Sequence, residues 1–172
     1  MGHGLSVGIR TSWYLRAAAW FSLLACVEMA HAGVFSEGDR VMLELGPYVA
    51  HWEDNQGHNQ WPHLVGAEWE SGSHWLVGGA VFKNSYYQDA AYVYGGRRWF
   101  LERVNPNLYV KLSAGLVYGY KDPYEDQLPI NNKGYGLGIV PAVGYQFGRA
   151  NAQIVLLGAV AVAFTFGYDF WN

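Results

Sequence analysis

Apolar and polar residues alternate with a period of two along most of this chain. In LYVKLSAGLVYGY, residues 108–120, leucine, valine and tyrosine line one face, whereas lysine, serine and glycine are concentrated on the other. Near the end of the chain, four aromatic residues alternate with small or polar ones: Phe164, Phe166, Tyr168 and Phe170 with Thr165, Gly167 and Asp169. A continuous apolar face opposed by small and polar residues predicts β-strands that cross a lipid bilayer.

Eight segments carry this pattern or a related apolar one: 41–51, 63–70, 74–84, 89–99, 108–120, 136–147, 152–158 and 162–170. Because lipid offers no water to satisfy an open sheet edge, we expect an all-β fold, an eight-stranded antiparallel transmembrane β-barrel of the outer membrane. Short turns follow the second, fourth and sixth strands, and long polar loops follow the first and fifth, which places both termini on the periplasmic side. The connection inside LLGAVAVAF carries no turn signal.

The beginning of the chain has the pattern of a targeting segment. Arg10 and Arg16 precede an apolar core, and AHA, residues 30–32, has the small-x-small form of a signal-peptidase site. We therefore predict a signal peptide at residues 1–32, a barrel domain at residues 33–172, and export to the outer membrane of a Gram-negative bacterium. An alternative is lipoprotein processing at Cys26, the only cysteine.

Composition narrows the classes of partner. Removing residues 1–32 takes away two arginines and one glutamate, so the formal net charge changes from −3 to −4. This mild acidity argues against a nucleic-acid partner. Most of the aromatic residues are Tyr and Trp, which favour membrane–water interfaces because each has an apolar body and a polar tip. We therefore expect outer-membrane lipid as the partner of this chain.

The barrel interior has two alternative interpretations. HWLVGGAVF, residues 74–82, is apolar on both faces and lacks the polar inner face of a water-filled pore. The barrel could therefore enclose an apolar cavity for a hydrocarbon chain, or it could be packed solid with side chains. An ion network inside the barrel is also expected, formed by Glu68 and Glu70 with Arg97 and Arg98. No compact metal-ligand spacing is found among the four histidines after residue 32, which are His51, His58, His63 and His74.

A histidine, an asparagine and a serine should meet at one rim. His51 ends the first predicted strand, and Asn84 and Ser85 end the third. Odd-numbered strands would run outward, which puts all three at the extracellular rim. A serine becomes a nucleophile when a histidine can take its proton, and a neighbouring amide can stabilise a developing oxyanion. The alternative is an ordinary strand-to-loop junction, where serine and asparagine are common.

Strict alternation conflicts with this site. It puts His51 on the same face as the apolar Leu43 and Leu45 and opposite Glu44. A β-bulge near Gly46–Pro47 would correct the conflict, because one extra residue reverses the alternation and proline often marks a break in strand pairing.

The segment VFKNSYYQDAAYVYGGRRW, residues 81–99, resembles part of the PagP family, the outer-membrane lipid A palmitoyltransferases. PYVAHW in the first strand and GIVPAVGYQFG in the sixth are similar to the same family. The resemblance implies an enzyme that moves an acyl chain from a phospholipid donor to lipid A at the outer leaflet. We expect a monomer that uses no cofactor and no metal.

The resemblance implies roles for individual residues of this chain. His51 and Ser85 match its catalytic histidine and serine, and Asn84 stands where it has aspartate. Gly96 falls at the spacing of the glycine at the floor of the acyl-chain pocket, where a missing side chain leaves depth for a long chain. Candidates for the proline-made gaps that let lipid enter sideways are Pro47 and Pro141.

Asn84 is the main departure from the family. An amide cannot accept a proton or carry charge, so any role that requires a carboxylate at this position is lost. Two alternatives to acyl transfer therefore stay open: a lipid A deacylase on the same scaffold, and a non-catalytic outer-membrane barrel that binds lipid or stabilises the membrane.

Overall fold

The computed structural model describes residues 36–52, 57–128 and 130–171, and the barrel forms one compact unit, Glu37–Asn172. The predicted signal peptide and Cys26 lie outside the described residues. The strands are β1 Arg40–His51, β2 Leu64–Glu70, β3 Trp75–Lys83, β4 Asp89–Phe100, β5 Leu108–Tyr118, β6 Asn131–Asn132, β7 Tyr135–Phe147, β8 Ala150–Leu157 and β9 Ala161–Trp171. A single turn of 3-10 helix, Glu125–Gln127, precedes β6. No helix in the described parts of the chain is long and apolar enough to cross a membrane.

The strands form a closed antiparallel barrel. Each long strand pairs with the next long strand in sequence, so that β5 pairs directly with β7, and the two-residue β6 pairs with β7 as well. The first and last strands, β1 and β9, also pair, which closes the barrel. The predicted eight-stranded barrel is therefore confirmed, with every strand boundary within two residues of its prediction. The turn that the sequence pattern did not reveal begins at Gly158, whose φ of 62° suits glycine.

The alternation of side chains is also confirmed. Apolar side chains of β5 and β9, such as those of Leu116 and Phe166, are exposed on the outer face. Their sequence neighbours on the inner face, including Lys111, Ser113 and Thr165, are buried. The outside of the barrel is thus apolar, and polar side chains are turned into the interior.

One β-bulge in β1 determines which way His51 faces. Leu45 lies opposite Phe166 of β9, whereas Tyr48 lies opposite Phe164, so β1 contains one extra residue at Gly46–Pro47. Before the bulge Glu44 is buried, and after it Val49 is buried. The predicted bulge is confirmed, and it turns His51 toward the interior.

The half of the barrel nearest the described chain termini is filled by charged side chains. We call it the charged half. Glu68 accepts hydrogen bonds from Tyr94 Oη at 3.0 Å, Arg98 Nη2 at 3.2 Å and Lys111 Nζ at 3.0 Å. Arg98 also forms an ion pair with Glu70 at 3.1 Å. These groups are almost completely buried, so each charge is stabilised by an opposite charge from another strand.

The prediction for Arg97 is wrong. Its side chain lies on the outer face, where the guanidinium packs 5.3 Å from the Trp75 ring centroid and 5.8 Å from that of Trp99. Adjacent residues of a strand point to opposite faces, so only Arg98 of the two arginines can reach the interior.

The other half of the barrel, which we call the apolar half, has an interior of aliphatic and aromatic side chains. Val49, Ala161 and Ala163 form a buried cluster with the partly buried Val155 and Leu157. A second cluster on the facing strands includes Tyr92 and Val117, with the partly buried Phe82 and Val140 packed against it. Several of these inward side chains keep intermediate exposure, so the apolar half is less completely filled than the charged half.

Candidate functional site

His51 and Ser85 meet at the end of the barrel that carries the β1–β2, β3–β4 and β5–β6 connections, which we call the loop end. His51 Nε2 lies 2.9 Å from Ser85 Oγ. His51 is the last residue of β1, and Ser85 begins the turn that follows β3. The contact joins residues 34 positions apart, and it forms because both strands reach the same end of the barrel.

Asn84 holds the turn that carries Ser85. Its Oδ1 accepts hydrogen bonds from the backbone N–H of Tyr86 at 2.9 Å and of Gln88 at 3.0 Å. Its Nδ2 donates to the Gly119 carbonyl and to Gln88 Oε1, both at 3.3 Å. Only 2% of Asn84 is exposed. Both donors and the acceptor are thus occupied by contacts that fix the turn before and after Ser85, and a role of Asn84 toward a reacting carbonyl stays a prediction.

These contacts explain why an amide suits position 84. Gln88 Oε1 also accepts a hydrogen bond from the backbone N–H of Lys121 at 3.1 Å, while Gln88 Nε2 donates to the Lys121 carbonyl at 3.3 Å. Both contacts with Lys121 fix the orientation of the Gln88 amide. An ionised aspartate at position 84 would place a carboxylate against two oxygen acceptors and could donate to neither.

Asn59 is a site residue that the sequence pattern did not reveal. Its backbone N–H donates to the Ser85 carbonyl at 2.8 Å, and its Nδ2 donates to the Asn84 carbonyl at 3.2 Å. The residue is 5% exposed and fixes the β1–β2 connection against the turn after β3. Asparagine is common in loops, so its presence at position 59 carries no signal in the sequence. Its role depends on how the β1–β2 connection lies against the turn after β3.

His58 packs against His51, the candidate catalytic histidine. The ring centroids of His58 and His51 are 4.9 Å apart, and His58 makes an edge contact with Tyr86 at 5.5 Å. Within the described residues, Nδ1 of His51 is buried without a hydrogen-bond partner. The His51 ring is therefore held by packing and by Ser85, and the carboxylate of a Ser-His-Asp triad has no counterpart in the described chain.

Tyrosines of the β5–β6 connection, Tyr120 and Tyr124, pack against Tyr86, the residue after Ser85. Tyr86, next to Ser85, stacks on Tyr124 with ring centroids 3.8 Å apart, and its hydroxyl donates to Gln127 Oε1 at 2.9 Å. Burial, with smaller effects of Tyr124 and Asp126, raises the pKa of Tyr86. Burial and the neighbouring Tyr86 raise the pKa of Tyr120 to about 12. Both hydroxyls are therefore neutral at physiological pH, and the hydroxyl of Tyr86 keeps the proton that it donates to Gln127.

Strand pairing ends early next to both prolines. The pairing of β1 with β2 ends where Gly46 lies opposite Leu64, immediately before Pro47. The pairing of β7 with β8 ends where Ala142 lies opposite Val155, immediately after Pro141. Both interruptions lie toward the loop end, beside the apolar half. Lateral lipid access at these positions stays a prediction.

Gly96 faces the interior between Leu76 of β3 and Ser113 of β5. A Cβ added here would overlap the carbonyl oxygen of Leu112 and lie 2.9 Å from Ser113 Cα. The absent side chain thus allows close approach of β4 and β5, and a larger residue would first disturb the backbone of β5. The role of Gly96 at a pocket floor stays a prediction.

The fold and the site define a small closed β-barrel with a histidine–serine pair at one rim. In the described chain, no three histidine, cysteine or acidic residues are grouped closely enough to hold a metal ion. Comparison with models of known protein families and with curated protein sequences gives no match. Functional inference therefore depends on the geometry of the site and on the resemblance of single segments.

Proposed function

We propose that this protein is an outer-membrane acyltransferase resembling the PagP lipid A palmitoyltransferases, which moves an acyl chain from a phospholipid to lipid A at the outer leaflet. The observation that carries the proposal is the 2.9 Å contact between His51 Nε2 and Ser85 Oγ. It joins a base and a nucleophile at the rim of a barrel whose adjacent interior is apolar.

The outer surface supports a location in lipid. Leucine, isoleucine, valine and phenylalanine side chains are exposed along the outer face of β5, β7 and β9. Examples are Leu116, Ile139 and Phe166. Exposed apolar surface on this scale is unfavourable in water, and in a bilayer it is stabilised by contact with acyl chains. The histidine–serine pair would then lie near the headgroup level of one leaflet.

Acyl transfer at this pair can be written in two steps. Ser85 Oγ attacks the ester carbonyl of the phospholipid while His51 Nε2 takes the serine proton, and the proton passes to the leaving oxygen of the lysophospholipid. A hydroxyl of lipid A then attacks the acyl-serine, giving its proton to His51, which returns it to Ser85 as the ester forms. The apolar half would receive the hydrocarbon chain during both steps.

Mass spectrometry of lipid A from cells with and without this protein tests the proposal. We expect a gain of one palmitoyl group, which Ser85→Ala and His51→Ala should each abolish. Ser73→Ala is the matched control, because Ser73 is exposed at the opposite end of the barrel and should leave the gain intact. Full gain in both site variants would show that the pair does not catalyse transfer.

A second candidate is a non-catalytic outer-membrane barrel that binds lipid. The occupied amide of Asn84 favours it, because the described site then offers no side-chain amide for a developing oxyanion. Unchanged lipid A in cells that contain correctly inserted protein would support this candidate over acyl transfer.

A further inference from the structure

A groove on the outer side of the loop end is not used by the proposed reaction. It has a volume of about 510 Å³ and is lined by Asn59, Trp61, His63, Lys83 and Tyr87. The β1–β2 connection forms one wall, and the end of β3 with its following turn forms the other. Trp61 and Tyr87 are 59% and 62% exposed, so both rings are accessible to a ligand.

Backbone hydrogen bonds hold the two walls together. The N–H of Lys83 donates to the Pro62 carbonyl at 2.7 Å, and the N–H of Asn59 donates to the Ser85 carbonyl at 2.8 Å. Two residues of the groove, His63 and Tyr87, have positive φ values of 48° and 62°, which side chains with a Cβ rarely adopt. Backbone strain of this kind is concentrated at ligand-binding sites.

Lys83 is the cation of the groove. Its Nζ lies 2.6 Å from Asp89 Oδ1, and the two side chains are 43% and 38% exposed. An ion pair this exposed contributes little stability, so an anionic ligand can compete with the carboxylate. An ammonium flanked by exposed Trp and Tyr rings suits a phosphate at a membrane–water interface.

We propose that this groove binds the phosphate group of a membrane lipid through Lys83. The inference rests on the proposed outer-membrane location but not on catalysis. Lys83 faces outward, whereas Ser85, two residues later, faces His51 in the interior. A lipid anchored at Lys83 would therefore hold its phosphate outside the barrel wall, close to the rim where its ester would react. The phosphate could belong to a glycerophospholipid or to lipid A.

The test measures lipid binding by native mass spectrometry on the full chain in uncharged maltoside micelles. The probes are dihexanoyl phosphatidic acid and its phosphate-free counterpart, dihexanoyl glycerol, and in a second series lipid A and dephosphorylated lipid A. Lys83→Gln should weaken binding of the phosphorylated probe about tenfold, the scale of one lost charge-assisted contact. Asp89→Asn should strengthen it, because the competing carboxylate is removed.

Opposite effects of the two variants separate a binding site from a structural ion pair. Lys121→Gln, on another connection of the loop end, is the control and should change nothing. The series that shows the opposite effects identifies the lipid, and effects in both series identify a general phosphate site. The proposal would be overturned if Lys83→Gln and Asp89→Asn weakened binding equally or both left it unchanged. It would also be overturned if the phosphate-free probes bound as tightly as the phosphorylated ones. Because binding is measured without turnover, an inactive protein that keeps these effects would refute acyl transfer and leave the phosphate site standing.

Discussion

The two halves of the barrel interior are built from the same strands, but the side chains that face inward differ between them. β4 contributes Arg98 to the charged half and Tyr92 to the apolar half, and β9 contributes Asp169 and Ala163 in the same way. In the charged half, inward groups are bound to partners on other strands. In the apolar half, several inward side chains are only partly buried, and strand pairing stops early beside two prolines.

Under the proposed function, this difference would separate stability from catalysis along the barrel axis. Buried charges require their partners, so the charged half fixes the relative positions of the strands that supply them. The apolar half is instead held by packing of uncharged side chains, and under the proposed function a hydrocarbon chain would replace part of this packing. His51 and Ser85 lie at the end of the apolar half, where the proposed function places the ester of the bound lipid.

The largest effect is expected from Glu68→Ala in the charged half. Arg98 and Lys111 would lose their shared acceptor while staying buried, and removing one partner of a buried ion pair costs about 3–5 kcal/mol. Urea unfolding in micelles measures the free energy of unfolding. Glu102→Ala makes the same change at an exposed position and should leave it nearly unaltered. A loss no larger than that of the control would mean that the network does not stabilise the barrel.

A smaller effect should distinguish the halves through two glycines of β7. A Cβ at Gly144 would overlap the ring of Tyr109, which is fixed by Asn151 at 3.3 Å and by the Arg98 guanidinium 4.5 Å from the ring centroid. We expect Gly144→Ala to cost about 1–3 kcal/mol, as for overpacking in a well-filled core. Unfolding in urea again provides the measurement.

Gly138→Ala is the matched variant in the apolar half. Its Cβ would lie 2.9 Å from a methyl group of Val117 and 3.4 Å from the Tyr92 ring, a smaller overlap than the one with the Tyr109 ring at Gly144. The destabilisation should therefore be smaller than at Gly144. Equal losses at the two positions would indicate that both halves are packed to the same density.

Alternation in the sequence was sufficient to predict the barrel, because the inward or outward direction of each side chain follows from a period of two. The same rule, combined with Pro47, predicted the bulge that turns His51 inward and thus its meeting with Ser85. The rule was misapplied to Arg97, since adjacent arginines cannot both face inward. Contacts between connections, such as those of Asn59, have no periodicity and could not be predicted from spacing.

Asn84→Asp tests the turn at the rim of the apolar half. The substitution restores the residue type of the resembling family but removes the donor to the Gly119 carbonyl and to Gln88. We expect a loss of about 1–2 kcal/mol, because a buried acceptor is left without its partner, and no gain in acyl transfer. Urea unfolding and lipid A mass spectrometry measure the two effects.

Asn107→Asp is the control for this substitution, since Asn107 is exposed and its side-chain amide donates to the hydroxyl of Tyr145, which can donate to a carboxylate instead. An Asn84→Asp protein with higher activity and unchanged stability would instead mean that the site uses a carboxylate.

The smallest effect is expected at His58, whose ring packs against that of His51 with the centroids 4.9 Å apart. If this packing positions the imidazole, His58→Ala should lower kcat for acyl transfer about tenfold, the effect of roughly 1.4 kcal/mol on the barrier. His58→Phe keeps an aromatic ring but no ring nitrogen, and it should retain most of the activity with KM unchanged. Equal loss in the Phe and Ala variants would assign His58 a role through its ring nitrogens. Full activity in both would mean that Ser85 and the end of β1 suffice to orient His51.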